Sequence, residues 1–154
     1  MDPKNSASDS VQRLAQGELA GEIDFLTARI RSQGSSRANS LLAPLDLKVR
    51  SYSVLSLACS DLAPTQREVA EFLSLDPSQI VPLVDQLESR GLVERVTAPH
   101  DRRTKVIAGT KEGKKLYLQA RKATAEGEEA SLEALSSEER TTLRELLTRI
   151  AFGA

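Results

Sequence analysis

The chain has no tryptophan and only five other aromatic residues, three Phe and two Tyr. Stacking on unpaired bases needs exposed aromatic platforms, so a single-strand-binding surface has little to build on. One cysteine excludes an internal disulfide framework, and together with one histidine it is too little for a usual zinc site. A charge excess is missing too: 21 Lys and Arg stand against 22 Asp and Glu, for a formal net charge of −1 and a pI of about 5.9. No overall positive field would hold such a chain on nucleic acid or on an anionic membrane, so any nucleic-acid binding must come from a local patch. No apolar run approaches the roughly 18 residues of a membrane span. The opening "MDPKNSASDS" lacks the basic and apolar regions of a signal peptide. A cytoplasmic protein without membrane contact is expected. Catalytic constellations are missing as well. There is no Cys/His pair at meaningful spacing, no phosphate-cradling glycine loop and no G-x-S-x-G elbow, and Gly113 in "TKEGKK" reads as an isolated helix-region glycine. No enzyme, catalytic residue, cofactor or metal is expected.

What is present favours helices: Leu, Ala, Glu, Arg and Ser dominate, and 154 residues fit one domain. Residues 1–9 read as a polar N-terminal tail. From there to about residue 33, Leu19, Ile23, Leu26 and Ile30 recur at steps of four, three and four, one apolar stripe on a helix that something must cover. "QGSSRANS" (Gln33 to Ser40) is expected to weaken or kink it. A second helix, about Lys48 to Ser60, offers Val54, Leu55, Leu57 and Ala58 to a core.

Thr65 and Glu68 have the spacing of a capping box, followed by Val69, Ala70, Phe72 and Leu73 as the buried side of a short helix. After Ser74 and Leu75 a new helix begins, with Asp76 as N-cap, Pro77 at the first helical position and Gln79 completing a second box. Gly91 suits a left-handed position after Arg90, with Leu87 and Leu92 placed for the contact of a Schellman cap. Two short helices joined by a tight turn make a helix-turn-helix candidate, although the same unit also serves purely as packing. "LVERVT" and "TKVIAG" then read as strands flanking a loop with Pro99, which makes the wing of a winged helix. Two helices end the chain, about Lys111 to Ala134 and about Ser137 to Phe152, the second capped by Ser136 and Glu139. Their apolar residues, with the N-terminal stripe, exceed what a winged helix can cover. A symmetric dimer packed through terminal helices is the economical solution, and terminal helices folded back within a monomer are the alternative.

In order and spacing, "LLAPLDLKVRSYSVLSLA", "TQREVAEFLSLDPSQIVPLVDQLESRGLVERV", "DRRTKVIAGTKEGKKL" and "LSSEERTTLRELL" resemble the successive blocks of the MarR family of transcription regulators, including its D-x-R wing signature at Asp101 and Arg103. The resemblance implies a mainly α fold with a small β-hairpin wing. Residues 10–46 would form the N-terminal dimerisation helix, 47–110 the winged helix-turn-helix and 111–154 the C-terminal dimerisation helices. It further implies a homodimeric repressor on a pseudo-palindromic double-stranded operator, released by a small molecule or by oxidation. This chain departs from the pattern where Pro82 and Gln86 replace frequent basic residues, Ser74 and Asp46 frequent glycines, and Lys48 a frequent threonine. The tryptophan of the urate-responsive branch is absent.

The wing tip has a physical reading. Narrow A·T-rich minor grooves attract an inserted arginine, and Arg103 is the first choice. Asp101 could hold that guanidinium by a bidentate pair, while Arg102 and Lys105 meet phosphates. From Arg90 to Lys105 there are five bases against two acids, a local +3 that includes Arg95 among the DNA-facing set. The competing reading is a solvated turn whose charges keep a hairpin edge soluble, with His100 a lone loop histidine. On the second helix of the pair, Ile80, Leu83, Val84 and Leu87 face inward. Ser78, Gln79, Pro82, Asp85 and Gln86 lie nearer the outside, with base reading starting at Gln79 and Ser78, glutamine bonding adenine through N6 and N7. Pro82 offers an apolar contact to a thymine methyl or sugar, or is a tolerated surface proline. Asp85 would repel phosphate unless bridged to a wing arginine. Thr65 and Gln66 could bond phosphates at a helix N-terminus. By position within the family, Leu26, Arg29, Tyr52 and Leu55 would line an effector pocket. Cys59 raises a thiol-based redox alternative, although its apolar neighbours and nearby acid raise a thiol's pKa. A winged-helix protein-interaction module without operator binding is the remaining rival.

Overall fold

A computed structural model describes residues 3–98 and 101–153, so Pro99 and His100 lie outside the described residues. The elements run α1 (Pro3–Leu14), α2 (Ile23–Leu42), α3 (Val49–Ala58), α4 (Gln66–Phe72), α5 (Pro77–Ser89), β1 (Val93–Ala98), β2 (Asp101–Gly109), α6 (Lys111–Ser131) and α7 (Ser137–Phe152). The chain divides into two compact units, residues 1–37 and 38–154, with the boundary inside α2.

The first unit corrects three expectations. Helix α1 begins inside the stretch read as a polar tail. The single helix expected from about residue 10 to 33 is two, separated by a 3-10 turn at Glu18–Gly21, so Leu19 leaves the stripe while Ile23, Leu26 and Ile30 share α2. Gly17 precedes that turn and Gly21 ends it, and each glycine costs a helix about 1 kcal/mol relative to alanine. Conversely, α2 runs unbroken through "QGSSRANS" to Leu42. The C-terminal end of α2 is anchored: Leu42 is fully buried, and the Asn39 side-chain Oδ1 accepts the Val49 N–H at 2.8 Å. Those contacts outweigh one interior glycine and a few serines. None of the described residues from 9 to 37 is buried.

The second unit is a winged helix with its core between α3, α5 and the hairpin. Leu42, Val54, Leu55, Ile80, Val84 and Leu87 are fully buried there, joined by Val93 and Ile107 from the strands and Ala120 from α6. Both expected caps on the helix pair are present. Thr65 Oγ1 accepts the Glu68 N–H while the Glu68 carboxylate accepts the Thr65 N–H. Asp76 Oδ1 accepts the Ser78 N–H at 2.8 Å. The Schellman closure of α5 is complete, with Gly91 at φ 69°, Gly91 N–H donating to Glu88 O and Leu92 N–H to Leu87 O. Asp46 and Ser74 sit at φ 51° and 53°, in the left-handed region that glycine adopts most readily and aspartate tolerates better than most side chains.

Phe72 is a correction. Val69, Ala70 and Leu73 define the inward face of α4, and Phe72 falls to its flank, 59% exposed, stacked on Phe152 of α7 at 5.8 Å. The two strands form an antiparallel hairpin pairing Val93 with Gly109 through Thr97 with Lys105. The next pair is Ala98 with Asp101, so three residues of β2, Arg102 to Thr104, stand against none of β1. Such a bulge re-aims side chains out of the ladder.

Candidate nucleic-acid interface

Helix α5 is built to show one face. Ile80, Val84 and Leu87 anchor it in the core, and Ser78, Gln79, Val81, Pro82, Asp85 and Gln86 are exposed on the other side. Val81, 41% exposed beside Pro82, extends the apolar part of that face beyond what periodicity indicated. The helix runs through Pro82 without interruption.

Asp85 finds the partner it was expected to need. Arg95 of β1 donates from Nη2 to Asp85 Oδ1 at 2.5 Å, from Nη1 to Glu88, and from Nε to Gln66 Oε1 at 2.6 Å. One guanidinium thus joins the first turn of α4, the outer face of α5 and the wing strand. Burial opposes its charge, but its bonds and proximity to Asp85 and Glu88 prevail and hold it more firmly protonated than usual. Arg95, expected at DNA, is held by three side-chain acceptors as a clamp between these elements. Arg90 is also committed, donating to the carbonyls of Asp46 at 2.6 Å and Leu45 at 3.1 Å. Two of the five bases in the local charge count are therefore held inside the fold.

The wing bases differ. Arg102, Arg103 and Lys105 are all exposed. Lys105 Nζ donates to Thr97 Oγ1 at 2.8 Å, while the Arg102 and Arg103 guanidinium groups have no ion pair among the described residues. Asp101 does not grip the Arg103 guanidinium, which corrects the bidentate expectation. Its Oδ2 accepts the Thr104 hydroxyl at 2.7 Å and its Oδ1 the Arg103 backbone N–H at 2.9 Å. These two bonds, the Thr104 one foremost, hold its carboxyl below the usual range. Asp101 therefore fixes the bulge backbone and leaves both arginines free. The bond from the Asp101 carboxylate to the backbone N–H two residues on is an Asx turn, a local pattern that needs no tertiary contact. Glu88 had no such signal, because its role depends on β1 folding back along α5.

Other expected contacts are partly spent. The Thr65 hydroxyl bonds Glu68 twice, and Gln66 Oε1 is taken by Arg95. Ser78 and Gln86 remain exposed. Leu55 is fully buried in the core and presents no accessible surface, while Tyr52 is half-buried, stacked on Tyr117 with its hydroxyl accepting from Thr124 at 3.3 Å. Leu26 and Arg29 are exposed on α2. Cys59 caps α3 with its sulfur against Gly109; burial pushes the thiol pKa up, and the Lys114 charge offsets part of that rise.

Residues 45–104, the winged-helix core with its clamp and wing, match the model of the MarR family. A MarR-family transcriptional regulator from Rhodococcus sp. RHA1 is 40% identical over 88% of this chain and 97% of its own, with a TM-score of 0.81. The chain belongs to the MarR family. Two further MarR-like neighbours are seen with ligands. CouR from Rhodococcus jostii RHA1, bound to p-coumaroyl-CoA, is 43% identical over 88% of this chain and 96% of its own, with a TM-score of 0.81. The transcriptional repressor CouR bound to a 23-mer DNA duplex is 29% identical over the same shares, with a TM-score of 0.78. MarR-family membership makes this a DNA-binding transcriptional regulator.

Proposed function

We propose that this regulator is a cytoplasmic repressor, without catalytic activity, that binds a pseudo-palindromic operator as a homodimer. In each subunit α5 enters the major groove and Arg103 enters the adjacent minor groove. Arg102 and Lys105 meet phosphates, Asp101 holds the wing backbone, and the Arg95 clamp on Asp85 removes a negative charge from the path of the phosphates. The observation that carries the reading is the exposed Arg102–Arg103 pair: these guanidinium groups have no ion pair among the described residues, while Arg90 and Arg95 nearby are bonded. Free guanidinium groups on a bulge beside an outward recognition face suit minor-groove insertion and phosphate contact.

The effector, in this proposal, is a small molecule and specifically a CoA thioester, as in the neighbours bound to p-coumaroyl-CoA. It would act by binding better to the spacing of the two reading heads that does not fit the operator. Tyr52 is proposed to meet it. Leu55 stays a core residue.

One observation favours a second reading. The outward face of α5 carries no basic residue and does carry Asp85, which suits a protein-interaction module. Fluorescence anisotropy separates the two, using a labelled duplex from the gene's own upstream region, a scrambled control and two salt concentrations. Operator binding predicts tight, salt-sensitive binding to the upstream duplex alone, weakened by Arg103→Ala and by p-coumaroyl-CoA. Equal, weak binding to both duplexes would favour the protein-interaction reading.

A further inference from the structure

The side chain placed to start base reading on α5 has its acceptor turned inward. Gln79 Oε1 accepts the Asp76 backbone N–H at 3.3 Å, the reciprocal half of the box that starts the helix. The N-cap N–H can bond only an oxygen, so the chemistry of the cap settles which end of the amide faces inward. Nε2 is left on an exposed side chain with two N–H donors and no partner among the described residues. Glutamine reads adenine by accepting from N6 while donating to N7, which needs the oxygen on the outward edge of the amide, whereas here it is turned toward the cap. Guanine offers only acceptors at that edge, N7 and O6, and matches a pair of donors.

We infer that Gln79 is a specificity-determining residue that reads guanine, and discriminates against adenine, at one position of each operator half-site. The inference rests on the proposed major-groove placement of α5, whose first turn is the part that reaches base edges in this kind of docking. Bidentate reading of adenine would turn the oxygen toward the groove and draw it off the Asp76 N–H; reading guanine leaves it at the cap.

The test is selection of bound duplexes from a randomised library by the full-length protein. Affinities for single-base variants of the selected site are then measured for wild type, Gln79→Ala and Gln79→Glu. The wild type should show one symmetric position where exchanging guanine for adenine weakens binding on the order of tenfold. Gln79→Ala should erase that contrast and leave the preferences elsewhere in the site intact. Gln79→Glu keeps a box-forming oxygen and should melt like the wild type, yet it has no donor and should turn against guanine at the same position. A wild-type preference for adenine there, or a profile unchanged in Gln79→Ala, overturns the guanine assignment while leaving operator binding standing. Failure of the wild type to enrich any sequence overturns both the assignment and the operator reading beneath it.

Discussion

Among the described bases of the wing, Arg95 has the most side-chain partners. It bonds Gln66, Asp85 and Glu88, so its removal leaves two carboxylates without their cation beside the proposed path of the DNA phosphates. Arg95→Ala is expected to lower operator affinity at least tenfold in anisotropy titrations. Arg95→Lys should recover only part of this, because a point charge cannot span three acceptors in a fork. An unaffected affinity would show that the clamp is packing alone. Gly113 makes the opposite lesson. Read from sequence as an isolated helix-region glycine, it lies where an added Cβ would stand 1.8 Å from the Leu92 carbonyl oxygen. That oxygen also accepts the Thr110 N–H and hydroxyl, so it cannot yield cheaply. Gly113→Ala is therefore expected to destabilise the fold by about 1–3 kcal/mol in denaturant melts, the usual cost of forced overpacking.

At the scale of elements, helix starts were the most legible features and helix interruptions the least. Thr65, Asp76 and Ser136 cap because a short polar side chain three residues before Glu or Gln satisfies two orphan N–H groups locally, with no help from tertiary structure. The continuity of α2 through Gly34 depends instead on Leu42 and Asn39 meeting α3 and the core, which no local pattern reports. The clamp was half legible for the same reason: Asp85 visibly needed a cation, but its identity required the pairing of β1. The capping carboxylates imply a pH dependence. Backbone and hydroxyl bonds hold Glu68 and Asp76 below their ordinary values, as they do Asp101. A depressed carboxyl contributes its full stability above the unfolded value, near 4, and loses it as pH falls through the lower folded value. Circular-dichroism melts should thus be insensitive to these groups from about pH 7 to 5 and fall below about pH 4. The acid slope should be shallower in Glu68→Gln with Asp76→Asn. Pro82 runs against its element: it removes an N–H from the interior of α5 on an exposed face. Pro82→Ala is expected to raise stability by up to about 3 kcal/mol. If Pro82 contacts a thymine methyl or sugar, the same change should also relax base preference at one operator position.

On the scale of the whole molecule, the residues that cover nothing are the informative ones. Ile23 and Ile30 on α2 are 73% and 60% exposed, and Ile150 on α7 is 77% exposed, with Leu146 and Leu147 beside it also open. Apolar residues clustered this way on terminal helices mark surfaces that another chain covers, and a second copy is the occupant we propose. Two subunits would also let a chain with net charge −1 hold DNA, since symmetry would double the few exposed bases of one wing. Each phosphate neutralised contributes about 0.9 to the slope of log affinity against log salt, so a dimer engaging both half-sites should show about twice the slope of a lone subunit. Ile30→Glu and Ile150→Glu place charges on the uncovered faces without touching the wing or α5. Light scattering should find two chains per particle for the wild type and one for the variants, and operator titrations should show the salt slope halved in step. A variant that stays dimeric and keeps its slope would mean that its uncovered face is not where two copies meet.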